Sequence, residues 1–304
     1  MIRELIPYRD FERDEVFACV TGLIKSAGQI DDSSLAESAS WYCDCVAKMA
    51  AAAEKAGIAG NLWQTWLAML VAENENPFSL AHERREPLDG TMRSLAMRDF
   101  ETLYDYMHYD LGAVEAELGL GASGCLDGFV PMAAGPVSFG RIAGAVVGGL
   151  AEAMAKADSP AGLYEAAAAF YREHGVGKFG IYGGFRWDAH SREIVPAIPL
   201  EDIALSDLVG YEEQKKAVVD NTAAFLEGRP ANNVLLYGEG GTGKSSTIKA
   251  LLNEYAPRGL RMIEVYKHQI NDLETILEEI KLRNYKFILF MDDLSFEQFE
   301  VEYK

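Results

Sequence analysis

Residues 238 to 245 have the types and spacing of a loop that binds phosphate. They read Gly238-Glu239-Gly240-Gly241-Thr242-Gly243-Lys244-Ser245, which matches G-x-x-x-x-G-K-[ST] at every fixed position. Glycines let the backbone curl so that successive N–H groups point at phosphate oxygens, and a following helix offers its positive end to the same charge. A plain turn needs neither the lysine nor the serine. We therefore expect a bound nucleoside triphosphate, with Lys244 at the β- and γ-phosphates, Ser245 on Mg²⁺, and Ser246 beside them.

A second polar group follows a continuously apolar segment at residues 287–291, which predicts a strand covered on both faces. The segment ends in Asp292-Asp293, and ligands of open α/β sheets bind at the carboxyl ends of the strands. Asp292 is expected to hold Mg²⁺, usually through a water molecule, and Asp293 to polarise an attacking water molecule. Aspartate is one methylene shorter than glutamate, so Asp293 could instead only support Asp292. Taken alone, the pair would equally suit a solvated acidic strand end.

Strands alternate with helices around these residues. The pattern predicts strands at 233–237, 261–266 and 286–291, and helices at about 211–227, 244–255 and 269–283. Such alternation indicates an α/β domain with a parallel sheet.

The remainder of the chain has a different pattern, which predicts a mainly α-helical domain over residues 1–190. Alanine-rich segments at 141–157 and 161–173 flank Asp158-Ser159-Pro160, a cap followed by proline, which predicts a helical hairpin. Residues 191–206 contain Pro196 and Pro199 without clear periodicity, which predicts a linker. Residues 207–304 then form the nucleotide-binding part.

Composition and charge argue against several classes of protein. The 304 residues carry a net charge of −19, which disfavours a broad nucleic-acid surface without excluding a small one. The four cysteines lack metal-ligand spacing and are expected to be reduced thiols. The charged N-terminus contains no apolar signal segment, and Pro131, Pro136 and Arg141 interrupt the apolar stretch 129–150. A cytoplasmic protein without a membrane span is predicted.

The chain resembles the AAA+ superfamily over residues 200–304, and resembles more closely an uncharacterised bacterial family of AAA+ ATP-binding proteins of unknown function. The resemblance is carried by the P-loop and by three further segments: Leu208-Val209-Gly210-Tyr211-Glu212-Glu213-Gln214, Asn221-Thr222-Ala223-Ala224-Phe225-Leu226, and residues 287–293. It implies a P-loop NTPase fold of AAA+ type, with Val209 and Gly210 against adenine, and hence ATP rather than GTP. An AAA+ module continues through a sensor residue, an arginine finger and a lid, so the printed sequence is expected to be a truncated form that binds ATP better than it hydrolyses it.

The resemblance implies an ATPase that remodels a macromolecular partner recognised by the helical N-terminal region, with a homo-oligomer in the complete protein. Two alternatives stay open: a nucleotide-sensing regulatory or scaffold protein without turnover, and a DNA-associated ATPase similar to helicase loaders. A small-molecule kinase is disfavoured, because residues 208–211 and 221–226 would have no expected role in one. The contribution of Asp293 to hydrolysis separates an ATPase from a sensor.

Overall fold

The computed structural model describes residues 4–26, 35–120, 126–132, 139–197 and 203–292. The chain divides into two compact units, and the division falls between Ile181 and Tyr182. This boundary precedes the one expected near residues 190–205, because the strand at 184–188 is hydrogen-bonded into the sheet of the second unit.

The first unit is helical, as predicted. Tyr8 is followed by a 3-10 helix at Arg9–Arg13. The α-helices are α1 Glu15–Ser26, α2 Leu35–Ala56, α3 Leu62–Glu73, α4 Pro77–Glu83, α5 Thr91–Met107, α6 Leu111–Glu117, α7 Phe139–Ala155, α8 Pro160–Glu173 and α9 Gly177–Ile181.

The core of this unit combines aromatic packing with a few buried hydrogen bonds. Trp63 and Leu67 of α3 are buried, and they lie on one face of that helix. The Tyr171 hydroxyl donates to the carbonyl of Val71 at 2.7 Å and lies 2.9 Å from the hydroxyl of Tyr8. Burial raises the pKa of both tyrosines, so they stay neutral donors. These bonds fasten the N-terminal segment to α3 and α8.

Helices α7 and α8 pack against each other and form the predicted hairpin. The α8 helix begins as the sequence indicates, with Ser159 as N-cap and Pro160 at the first helical position. The Ser159 hydroxyl accepts a hydrogen bond from the N–H of Gly162 at 3.2 Å. In the described part of the chain, no helix has the length and apolar character needed to cross a bilayer.

The second unit is an α/β layer. Its strands are β1 Gly184–Asp188, β2 Glu193–Pro196, β3 Leu260–Glu264 and β4 Lys286–Phe290. Its α-helices are α10 Glu212–Leu226, α11 Lys244–Tyr255 and α12 Leu273–Ile280, with 3-10 helices at Leu205–Asp207, Ala256–Arg258 and Lys267–Asp272. The strand order is β2-β1-β3-β4. A mixed sheet replaces the expected parallel one, since β1 and β4 run parallel to β3 whereas β2 is antiparallel to β1. The predicted linker at 191–206 thus contains strand β2.

The segment 233–237, predicted as the strand ahead of the phosphate loop, does not form a strand in the structure. Its side chains at Val234, Leu235 and Tyr237 are 48%, 68% and 89% exposed, and only Leu236 packs on the core shared by α10, α11 and β3. A strand needs a hydrogen-bonded neighbour, and none of the described residues pairs with this segment. Apolar composition alone did not make it one.

Replacing the α8 cap tests how far the hairpin depends on it. Ser159→Ala removes the acceptor for the Gly162 N–H and should lower the free energy of unfolding by about 1 kcal/mol. Urea denaturation of the full chain followed by circular dichroism measures this value. Ser94→Ala, which replaces an exposed serine inside α5, is the matched control and should change stability little. Equal losses in the two variants would show that Ser159 has no capping role.

Candidate functional site

The turn at residues 238–243 can adopt its shape only with glycine at particular positions. Gly241 and Gly243 have φ angles of 78° and 81°, in the left-handed region that residues with a Cβ rarely adopt. Gly238 also has a positive φ, of 150°. The Thr242 hydroxyl closes the turn by donating to the carbonyl of Glu239 at 2.9 Å. The curled backbone required for phosphate contact is therefore built into the chain.

Helix α11 begins at Lys244, directly after this turn, as predicted. Its N-cap is Gly243, which supplies no side-chain hydrogen bond, and the N–H of Thr247 donates to the Gly243 carbonyl at 2.8 Å. Helix geometry leaves the N–H groups of Lys244, Ser245 and Ser246 outside the intrahelical series. With no capping side chain, this helix end can offer those N–H groups and its positive dipole to an anion.

The Lys244 ammonium lies over the turn. Its Nζ donates to the carbonyl of Gly238 at 3.1 Å and to that of Glu239 at 2.8 Å. Both acceptors are neutral, and a charged phosphate oxygen makes a stronger hydrogen bond to an ammonium group. Lys244 is thus held beside the loop by contacts that an arriving phosphate can outcompete.

The structure brings Ser245 and Asp292 together, as the sequence predicts. The Ser245 hydroxyl donates to Oδ1 of Asp292 at 2.9 Å, and both side chains are half-buried. Asp292 lies just beyond the carboxyl end of β4, whereas Ser245 lies in the first turn of α11. A hydroxyl and a carboxylate in contact are two of the oxygen donors that Mg²⁺ prefers.

The remaining predicted residues are not joined to this group. Val209 is 94% exposed and Gly210 has a φ of 88°, in a loop that precedes α10. Within the described residues, that loop makes no hydrogen bond to residues 238–245. Asp293 lies outside the described residues.

Two polar side chains to which the sequence assigned no role hold the neighbouring segments. Lys215 of α10 donates to the Leu208 carbonyl at 2.6 Å and to Glu212 at 2.8 Å, which fixes the end of the loop that carries Val209. Asn221 exchanges two hydrogen bonds of 2.9 Å with the backbone of Asn232. The only sequence signal for Lys215 was its i,i+3 spacing from Glu212. Asn221 begins the segment 221–226 that carries the family resemblance, but its bonding partner is distant in sequence and no contact could be predicted.

No group of three or more histidine, cysteine or acidic side chains that could hold a metal ion occurs among the described residues. The candidate magnesium site does not need one. Mg²⁺ is usually bound through one or two protein oxygens, with substrate phosphates and water filling the octahedron. Ser245 and Asp292 fit that pattern, since their oxygens lie together at the N-terminus of α11.

The Asn221 contact generates a test of how the segment ahead of the loop is positioned. Asn221→Ala removes both hydrogen bonds to Asn232, so hydrogen exchange of the Asn232 amide should accelerate and stability should fall by about 1 kcal/mol. NMR-detected exchange on the full chain measures this rate. Asn253→Ala breaks a comparable bond to the Ile203 carbonyl and should leave Asn232 unchanged. An unchanged rate in Asn221→Ala would contradict the assignment.

Comparison with known proteins identifies one related family. Residues 182–304 match the model of a family described as "Protein of unknown function (DUF815)". No curated protein and no solved structure matches the chain. The matched region coincides with the second compact unit, from Tyr182 onward. Over that unit the chain is similar to a family whose description assigns no function.

Proposed function

We propose that the second unit binds ATP with Mg²⁺, and that the protein is an AAA+-type ATPase that couples hydrolysis to the remodelling of a macromolecular partner. The observation that supports this most is the 2.9 Å contact between Ser245 and Asp292 beside an uncapped helix start. A glycine-rich turn without a ligand has no need of a carboxylate delivered from another strand to that position.

The triphosphate would lie along the turn at 238–243 and against the first N–H groups of α11. Lys244 would exchange its two carbonyl acceptors for β- and γ-phosphate oxygens, because ionised acceptors bind an ammonium group more strongly. The positive end of α11 favours the same negative charge. Each of these donors is already in place, so little reorganisation precedes binding.

Magnesium, when bound, would neutralise charge on the phosphates and polarise them. Ser245 would offer its hydroxyl oxygen to the ion, and Asp292 would hold the ion or a water molecule bound to it. The Ser245 hydroxyl would then turn its lone pairs toward the ion instead of sharing them with solvent. The carboxylate remains close enough to keep that hydroxyl oriented.

The base would lie against the loop of Val209 and Gly210. Val209 offers an exposed apolar side chain, and Lys215 fixes the carbonyl of the preceding residue, Leu208. Tyr211, which ends the loop with a positive φ and is 58% exposed, could cover the same face of the ligand. An apolar contact of this kind suits adenine, and the family resemblance supports ATP over GTP.

The proposal also assigns roles in positioning the catalytic water and in recognising the partner. Asp293 would polarise the water, and the helical first unit would recognise an unidentified protein. Net negative charge argues against an extended nucleic-acid partner. The composition and the free thiols at Cys19, Cys43 and Cys45 support a cytoplasmic location.

Loss of the Lys244 ammonium should weaken ATP binding. We expect Lys244→Ala to raise the dissociation constant of Mg·ATP about 10- to 100-fold, as for loss of a hydrogen bond to a charged group. Isothermal titration calorimetry on the full chain measures it. Lys216→Ala, which removes an exposed lysine of α10 paired with Asp220, is the matched control and should bind as the wild type does. Absence of Mg·ATP uptake by the wild type, or equal uptake by Lys244→Ala, would refute the proposal.

The Ser245 hydroxyl should govern the magnesium requirement. Ser245→Ala should reduce the gain in ATP affinity on adding Mg²⁺ by about tenfold, whereas affinity in EDTA should change little. Binding of a fluorescent ATP analogue, titrated with and without Mg²⁺, separates the two quantities. Ser245→Thr keeps the hydroxyl and should keep the gain. Ser246→Ala, one residue further along α11, should also keep it, and a loss there instead would place the ion elsewhere.

A further inference from the structure

Helices α1 and α2 of the first unit pack with a register that places two cysteines face to face. Lys48 of α2 donates to the carboxylate of Glu15 of α1 at 2.5 Å. One turn further along α1 lies Cys19, and one turn back along α2 lies Cys45. An ion pair at one level therefore brings the two thiols opposite each other at the next, where each thiol shifts the pKa of the other.

The two thiols have different acidities. The Cys45 hydrogen bond, aided by the charge of Lys48 and opposed by burial and by Asp44, lowers the pKa of Cys19. The same hydrogen bond, together with burial, raises the pKa of Cys45. Cys19 is therefore the more acidic thiol of the pair and the better nucleophile.

Cys19, the more acidic thiol, is also the more exposed of the two. Cys19 is half-buried, whereas Cys45 is only 6% exposed. A small oxidant can reach Cys19, and a sulfur that has reacted there lies next to a protected second thiol. Cys43, two residues before Cys45 and therefore on the other side of α2, is exposed.

We propose that Cys19 and Cys45 form an oxidisable pair that closes to a disulfide with a hydroperoxide as the oxidant. The Cys19 thiolate attacks one oxygen of hydrogen peroxide, the O–O bond breaks, and the departing hydroxide takes up a proton to become water. Cys19 is now a sulfenic acid. The Cys45 sulfur attacks the Cys19 sulfur, the S–O bond breaks, and the released hydroxide takes the Cys45 proton as a second water. Both sulfurs are oxidised and the peroxide is reduced.

The disulfide would join α1 covalently to α2. In a reducing compartment such a bond is transient and reports oxidant. The pair lies within the first unit and is independent of the proposed nucleotide site. Failure of one proposal therefore leaves the other intact.

Peptide mass spectrometry of the full chain tests this. The protein is treated with a small excess of hydrogen peroxide, free thiols are alkylated, and the product is digested with trypsin. Cleavage after Arg13, Lys25 and Lys48 releases peptides 14–25 and 26–48, which carry Cys19 and Cys45 respectively. We expect these peptides to be linked, lighter by two hydrogens than their sum, and separated again by dithiothreitol.

Peptide 26–48 also contains Cys43, so variants are needed to show which of its two cysteines is linked to Cys19. In a background with Cys43 and Cys125 both replaced by serine, the linked peptide should form as before and raise the thermal midpoint of the oxidised protein. Adding Cys19→Ser or Cys45→Ser to that background should abolish it, with circular dichroism confirming that each variant is folded. The proposal is overturned if folded background protein gives no linked peptide, or if the link in the wild type requires Cys43.

Discussion

The hydrogen bond from Ser245 to Asp292 joins residues 47 positions apart at 2.9 Å, and the proposed chemistry depends on it. The two residues meet because Asp292 follows the carboxyl end of β4 and Ser245 lies in the first turn of α11, which leads into β3, the parallel neighbour of β4. The hydrogen bonds between β3 and β4 fix the position of Asp292, which follows β4. Strand β3 is buried along most of its length and lies between β1 and β4, so β4 is hydrogen-bonded to the buried centre of the sheet.

Local signals explain which parts of the second unit could be predicted from the sequence. The start of α11 was exact because Gly243 and Lys244 mark a helix N-terminus and a phosphate loop at once. Strand β4 was predicted within a residue, because a continuous apolar run followed by acids has few other interpretations. The failures concern pairing. Residues 233–237 look like a strand but have no described neighbour, and β2 looks like a linker yet pairs with β1. Strand pairing depends on tertiary structure, so it cannot be predicted from the sequence of either segment alone.

Among the residues of the candidate site, too, some could be proposed from local sequence signals and others could not. Lys244 and Ser245 could be proposed from the spacing of the phosphate loop, and Asp292 from its position directly after an apolar strand. Lys215 and Asn221 could not, because their roles depend on backbone groups that the fold brings to them. In the first unit, Asp99 accepts hydrogen bonds from the N–H groups of Ile6 and Tyr8, at separations of more than ninety residues. Burial raises the pKa of Asp99 even though those bonds lower it, and nothing local indicates such a residue.

The net charge of the chain limits how the proposed nucleotide could be attracted to it. A net charge of −19 repels a polyanion at long range, but screening confines that repulsion to about 8 Å at physiological ionic strength. Attraction must therefore come from groups in direct contact: one ammonium at Lys244 and the uncapped N–H groups of α11. Asp292 adds a negative charge at the same place, so a divalent cation between Asp292 and the phosphates should strengthen binding. The acidic composition that disfavours an extended nucleic-acid surface is thus compatible with the small magnesium-bound triphosphate that we propose for this site.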